Sequence, residues 1–259
     1  MASKGQNVWF DLMTTDMEGA KTFYTAVIGW KTQQWEDADP SMPYTMWVAG
    51  EAPLGGVMPL PEEARSMGAP QHWVAYTVVD DVDATAAQAE KLGATIYAPP
   101  MDIPKVGRFA MLADPQGATF AIFKPIDDAD APPDAAGQFS WAELNTTDYE
   151  AAWKFYSELF GWKHRSSMDM GPAGTYFMWH DAQEKTKGGM SNMAKQMNLP
   201  AHWLHYVTVD DVHAAVARVR QHGGKILNGP MEIPGDDLIA QCLDPQGGAF
   251  AVYAHGKKS

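Results

Sequence analysis

The chain has 259 residues, with 19 Lys and Arg against 32 Asp and Glu for a formal charge of −13, and 46% of its residues are hydrophobic. That length favours two domains, and the acidic balance argues against a nucleic-acid or anionic-membrane partner, because both select a basic face. The single cysteine, Cys242, excludes an intramolecular disulfide and a cysteine-based metal cluster, while the polar start Met1–Asn7 and the lack of any run of roughly 20 apolar residues predict a soluble, cytoplasmic protein.

In chain order, Trp9–Thr15 alternates as a strand does and leads into Asp16, a suitable helix N-cap. Ala20, Phe23, Tyr24 and Val27 then recur at i, i+3, i+4 and i+7, and Gly29 is placed to end the helix. Strand-like runs follow near Lys31–Trp35, Tyr44–Ala49 and Leu54–Leu60. The pattern restarts at Trp73–Val79. Asp81 or Asp83 caps a helix through Leu92, Gly93 closes it, and strands are predicted near Thr95–Tyr97, Phe109–Ala113 and Thr119–Phe123. Pro125–Gly137, rich in Pro, Asp and Ala, reads as a linker. Beyond it Asp148 starts a helix whose Ala152, Phe155, Tyr156 and Leu159 share a face and which Gly161 stops.

The two halves repeat. WFDLMTTDMEGAKTFYTAVIGW from Trp9 matches WAELNTTDYEAAWKFYSELFGW from Trp141, an offset of 141 − 9 = 132. HWVAYTVVDDV from His72 matches HWLHYVTVDDV from His202 at 202 − 72 = 130, and DPQGATFAIF from Asp114 matches DPQGGAFAVY from Asp244 at the same offset. This collinearity marks a tandem duplication, with domains over 1–124 and 138–259 joined by the linker 125–137. Each half reads strand–helix–three strands twice, so the fold class is α+β with four such modules.

A strand ending in Asp, a helix carrying Phe-Tyr, then Gly-Trp and later Asp-Pro-Gln-Gly resembles the vicinal oxygen chelate superfamily, which includes glyoxalase I, bleomycin- and fosfomycin-resistance proteins and extradiol dioxygenases. The resemblance covers nearly the whole chain. It implies βαβββ modules paired into two tandem glyoxalase-like domains, each with a curled mixed sheet around a cleft. It also implies a divalent metal held by His, Gln or Glu on the first strand of a module and Glu on the last. Those positions fall here on Trp9, Val74 and Ala121, and on Trp141, Leu204 and Ala251. Indole and alkyl groups offer no oxygen or imidazole donor. No cofactor is therefore expected, with a divalent metal on displaced ligands, such as Asp11 with His72 or Glu143 with His202, as the alternative.

Strand parity places Leu12 and Leu144 under the helices and sets Trp9, Asp11 and Met13, with Trp141, Glu143 and Asn145, on the cleft faces. A carboxylate among Trp and Met has its charged form disfavoured, the making of a general base near neutral pH; a carboxylate hydrogen-bonded to a neighbouring Tyr or His would instead hold strands in register. The candidate catalytic residues are Asp11 and Glu143 as bases, with His72, His202, Tyr76 and Tyr206 to deliver a proton or hold an oxyanion. Trp9, Met13, Trp47, Met58, Trp141, Asn145 and Trp179 are the candidate ligand-lining residues, with Met46, Met111, Met178 and Met190 on the same faces. Asp-Pro-Gln-Gly reads as a structural turn. The expected function is binding of a small apolar or aromatic molecule, and its metal-independent transformation by isomerase-, cyclase- or lyase-type acid–base chemistry. A metal-dependent lyase, isomerase or dioxygenase and a non-enzymatic sequestering or stress protein are the alternatives. The expected partner is a small molecule, for a monomer or homodimer whose halves differ in polarity.

Overall fold

The computed structural model describes residues 2–36, 43–66, 68–127, 135–184 and 187–256, so residues 128–134 of the expected linker lie outside the described residues. The first half runs Asn7–Thr14 (β1), Met17–Ile28 (α1), Lys31–Gln34 (β2), Thr45–Ala49 (β3), Ala52–Pro59 (β4) and Glu62–Ser66 (α2). It continues with His72–Val78 (β5), Val82–Lys91 (α3), Thr95–Ile103 (β6), Gly107–Ala113 (β7) and Thr119–Pro125 (β8). The second half runs Phe139–Asn145 (β9), Tyr149–Phe160 (α4), Lys163–Asp169 (β10), Thr175–His180 (β11), Lys187–Ser191 (β12) and Met193–Met197 (α5). His202–Thr208 (β13), Val212–Gln221 (α6), Lys225–Ile233 (β14), Asp237–Leu243 (β15) and Ala249–Ala254 (β16) complete it.

Each predicted helix forms between its predicted signals. The Asp16 side chain accepts from the Gly19 N–H at 2.9 Å and Gly29 closes α1 at φ 92°; Asp148 and Gly161 do the same for α4. Asp81 rather than Asp83 caps α3, accepting from the Ala84 N–H at 2.9 Å. The five-residue helices α2 and α5 escape the sequence pattern because one turn is too short to show a period. Strand order is β2-β3-β4-β1-β5-β8-β7-β6 in one eight-stranded mixed sheet and β10-β11-β12-β9-β13-β16-β15-β14 in the other.

The chain forms two compact units. One comprises Met1–Trp9, Val74–Ala131 and Trp141–Leu204, the other Phe10–Trp73, Pro132–Ser140 and His205–Ser259. In the first unit Leu144, Phe155, Tyr156, Leu159, Trp162 and Trp179 share a core with Leu112, Phe120 and Ile122. In the second, Tyr24 lies between Trp30, Trp47, Trp73 and Phe250, with ring centroids 5.2–5.7 Å apart.

The recurrent motifs meet inside these units. The Tyr24 hydroxyl donates to Asp244 at 3.1 Å and accepts from the Trp73 indole at 3.0 Å. Tyr156 likewise donates to Asp114 at 3.0 Å and accepts from Trp203 at 3.1 Å. Asp244 also accepts the backbone N–H groups of Gln246 and Gly248, and Asp114 those of Gln116 and Ala118. Burial pushes both phenols well above their ordinary range and raises both carboxyls against these donors. Gln116 adds a brace, accepting from the Thr147 and Asp148 N–H groups at 3.0 and 2.7 Å. The Asp-Pro-Gln-Gly turn thus does more than reverse the chain: it ties the Phe-Tyr helix of one half to the last hairpin of the other.

Candidate functional site

On β1, Leu12 is buried on the helix side and Asp11 on the opposite face, paired in register with Gly56 of β4. Asp11 is 3% exposed. Tyr44, immediately before β3, reaches it across the intervening strand and donates its hydroxyl to Asp11 Oδ1 at 2.7 Å. The ring can cross only because residue 56 has no side chain: a Cβ there would lie 2.1 Å from Tyr44 Cζ.

The second half repeats this geometry inside the other unit. Glu143, 8% exposed, pairs with Gly189 of β12. Tyr176 donates to Glu143 Oε2 at 3.0 Å, and a Cβ on Gly189 would lie 2.3 Å from its Cζ. Asn145 Nδ2 donates to Glu143 Oε1 at 3.2 Å, and the Trp141 indole donates to the Tyr176 hydroxyl at 3.0 Å. The phenols were absent from the sequence-derived candidates. The repeat held the signal, since Tyr44 and Tyr176 stand at the same offset of 132, but each reads equally well as a strand aromatic.

Among the expected lining residues, Met13 and Met58 pair side by side on the Asp11 face, and Met46 pairs with Gly56. Asn145 and Ser191 are the corresponding pair beside Glu143. Trp9 and Trp141 are half-buried at the start of this row. Trp47 and Trp179 are corrections. Both are fully buried on the helix side, Trp47 against Tyr24, Trp30 and Trp73, and Trp179 stacked on Trp162 at 3.5 Å. Parity is the reason: Met46 and Trp47, like Met178 and Trp179, are consecutive and must face opposite sides. Met190 pairs with Leu144 and belongs to the same core.

His72 and His202 turn Nδ1 to the carbonyls of Pro70 and Pro200 at 2.7 and 2.9 Å. Burial lowers the His72 pKa. Tyr76, in register with Ala121, packs on Phe109 and Phe123 and lies in the other compact unit from Asp11. Tyr206, in register with Ala251, accepts from Gln241 Nε2 at 2.9 Å and lies in the other unit from Glu143. Gln241 had no place among the candidates; its counterpart at the offset of 130 is Met111.

The usual metal-ligand positions do not fit a cation. Val74, Ala121, Leu204 and Ala251 are buried alkyl groups, and the Trp141 indole nitrogen is a donor spent on Tyr176. Among the described residues no group of three or more His, Cys, Asp or Glu is placed to hold a metal ion. Nor is any helix among them long and apolar enough to cross a membrane.

The family model of the Glyoxalase/Bleomycin resistance protein/Dioxygenase superfamily matches residues 7–122 and again 138–252. The chain belongs to this superfamily. It is 45% identical over 121 residues to a protein named as a glyoxylase, CFP32, of Mycobacterium tuberculosis (strain CDC 1551 / Oshkosh); the match covers 47% of this chain and 44% of that relative, under half its length. The anthracycline biosynthesis protein DauV of Streptomyces sp. (strain C5) is 29% identical over 260 residues, covering 96% of this chain and 92% of DauV. Among solved structures, a Mn(II)-bound glyoxalase from Novosphingobium aromaticivorans aligns with TM-score 0.65 and 17% identity over 98% of this chain and 83% of that one. A 4-hydroxymandelate synthase variant from Streptomyces coelicolor aligns with TM-score 0.67 and 14% identity over 100% and 95%. At such identities these likenesses establish the fold alone.

Proposed function

We propose that this glyoxalase-superfamily protein binds a small, flat, weakly polar organic molecule against its carboxylate-bearing sheet faces and transforms it by proton transfer without a metal. The observation that carries the reading is the buried carboxylate joined to a phenol across a glycine, present in both halves. Such a pair can move a proton and answer the charge it creates. The carboxylate takes the proton from an acidic C–H or O–H of the ligand and becomes neutral. The phenol O–H then turns from the carboxyl to the developing oxyanion, whose charge it stabilises. Isomerisation, cyclisation and elimination all begin with this step.

The donor chemistry at the usual ligand positions supports leaving a cation out of it. The likeness to DauV over nearly its full length supports a polycyclic aromatic ligand, because anthracyclines are flat, fused-ring phenols and ketones. The test is the double variant Asp11→Asn, Glu143→Gln, assayed for ligand affinity and turnover. Turnover falling at least 100-fold with affinity held within about fivefold supports acid–base chemistry. Unchanged turnover overturns it, as does activity that a chelator abolishes and one added divalent ion per site restores.

A further inference from the structure

We propose that a cavity in the second unit binds a free aliphatic α-amino acid as its zwitterion. The cavity has a volume of about 290 Å³ and is bordered by the end of α1, the turn between β3 and β4, Ala136, Gly137 and the start of α6. Its described lining residues all belong to the second unit, and none belongs to the carboxylate–phenol faces. The frame around it is common to both units. The Trp30 indole donates to the Gly137 carbonyl at 2.7 Å and the Gly137 N–H to Thr208, as Trp162 donates to Gly5 at 2.8 Å and Gly5 to Val78. What differs is the side chains on that frame. Ile28, Ala49 and Ala136 stand where the first unit has Phe160, Asp181 and Lys4, and each is smaller. Asp181 is fully buried, its Oδ1 accepting from the Gln183 N–H at 2.9 Å. At Ala49 both the volume and the negative charge of that acid are missing.

A cation has been gained in the same place: Arg218 lines the cavity where the first unit has Gln88. Its Nε donates to the Val27 carbonyl at 2.9 Å, which fixes the guanidinium and leaves the terminal nitrogens for a carboxylate. Asp211 is committed to capping α6 through the Ala214 N–H at 3.0 Å, whereas Asp210 is exposed beside it. Among the described residues Arg218 and Asp210 form no ion pair, with each other or with any other charge. Two opposite charges on one cavity that do not neutralise each other suit a ligand carrying both, a carboxylate for Arg218 and an ammonium for Asp210. The carbonyl end of α1, which has no basic residue in its last turn and meets the cavity at Ile28 and Gly29, favours the ammonium as well. The remaining wall of Ile28, Trp30, Val209 and Ala214 is apolar, and the volume lies at the small end for ligand sites, which fits a short aliphatic side chain. A phosphate or a dicarboxylate would meet Asp210 as a like charge.

The probe for the experiment is L-leucine, titrated calorimetrically into the full chain. Two analogues accompany it: 4-methylpentanoate, which lacks the ammonium, and 3-methylbutylamine, which lacks the carboxylate. One leucine should bind per chain, and each analogue should bind about tenfold more weakly or worse. A loss of about tenfold or more is expected in Arg218→Gln, which restores the residue of the first unit, and in Asp210→Asn. Ala49→Asp, which puts back the buried acid of the first unit, should abolish binding. Asp210 is exposed, so its variant is the one safest to fold, and thermal unfolding without leucine confirms the fold of each. The absence of saturable binding, an analogue as tight as leucine, or an unchanged affinity in either charge variant overturns the proposal. None of these outcomes bears on turnover at the carboxylate–phenol pairs.

Discussion

The sheet faces around Asp11 and Glu143 descend from one duplicated sequence and share a carboxylate, a phenol and a glycine. They differ where Met13 and Met58 face Asn145 and Ser191. The change of character continues in the other module of each half. Tyr76 is packed by Phe109 and Phe123, whereas Tyr206 accepts from Gln241, and Tyr253 donates to Asp237 at 2.5 Å. Meanwhile the joints Tyr24–Asp244 and Tyr156–Asp114 have stayed alike to within 0.1 Å. Duplication has kept what holds each compact unit together and varied the side chains beside the buried carboxylates.

The joints give the largest expected effects and should not tell the halves apart. Asp114→Ala and Asp244→Ala each strand two backbone donors and a phenol in the interior, at a cost of about 2–4 kcal/mol by denaturant unfolding. Tyr24→Phe and Tyr156→Phe each remove one buried hydroxyl and should cost about 1–3 kcal/mol. A difference between the halves larger than the spread within either pair would break the claim that these joints are equivalent.

Titration separates the halves where the joints do not. His205 is buried against Phe10 and Phe139, and burial alone lowers its pKa to about 3, while its counterpart is Ala75. A native pKa below the unfolded value means that the unfolded chain binds the proton first as pH falls. The His205 contribution is thus complete above about pH 6.5 and is lost at about 1.4 kcal/mol per unit below it, down toward pH 3. Asp114 and Asp244, raised by burial, act in the opposite sense and gain on acidification. Unfolding free energies at pH 6.5, 5.5 and 4.5 should therefore be less acid-sensitive in His205→Ala than in the natural chain, and an unchanged slope would refute the assignment.

Much of this was legible in advance. Period and capping residues located the long helices, and the repeat fixed the module count. Alternation put Asp11 and Leu12 on opposite faces. What sequence could not show depends on contacts distant along the chain. The Thr-Thr-Asp and Asp-Pro-Gln-Gly motifs look like two local signals, yet Gln116 closes on Thr147 and Asp148 only in the folded unit. Trp47 and Trp179 were misplaced because a run such as Met46-Trp47 is apolar on both sides, and composition cannot say which side is the core. Tyr44 lies two strands from its carboxylate, and only the bare backbone at Gly56 reveals the path between them.

Two smaller effects sharpen the comparison. Gly56→Ala and Gly189→Ala should each push a phenol off its carboxylate, a displacement that a crystal structure of each variant checks. Arg108, which spans Asp83 and Asp102 at the surface where the second half has Leu238, should be replaceable by Leu with no resolvable change in unfolding midpoint.

The most direct test is a crystal structure of the chain soaked with 1,8-dihydroxyanthraquinone. The account predicts the ring plane against one of the two carboxylate–phenol pairs, with one phenolic oxygen about 2.5–3.0 Å from its carboxylate. A ring seated away from both carboxylates, or a cation bound by protein oxygens or imidazoles beside either one, would contradict it.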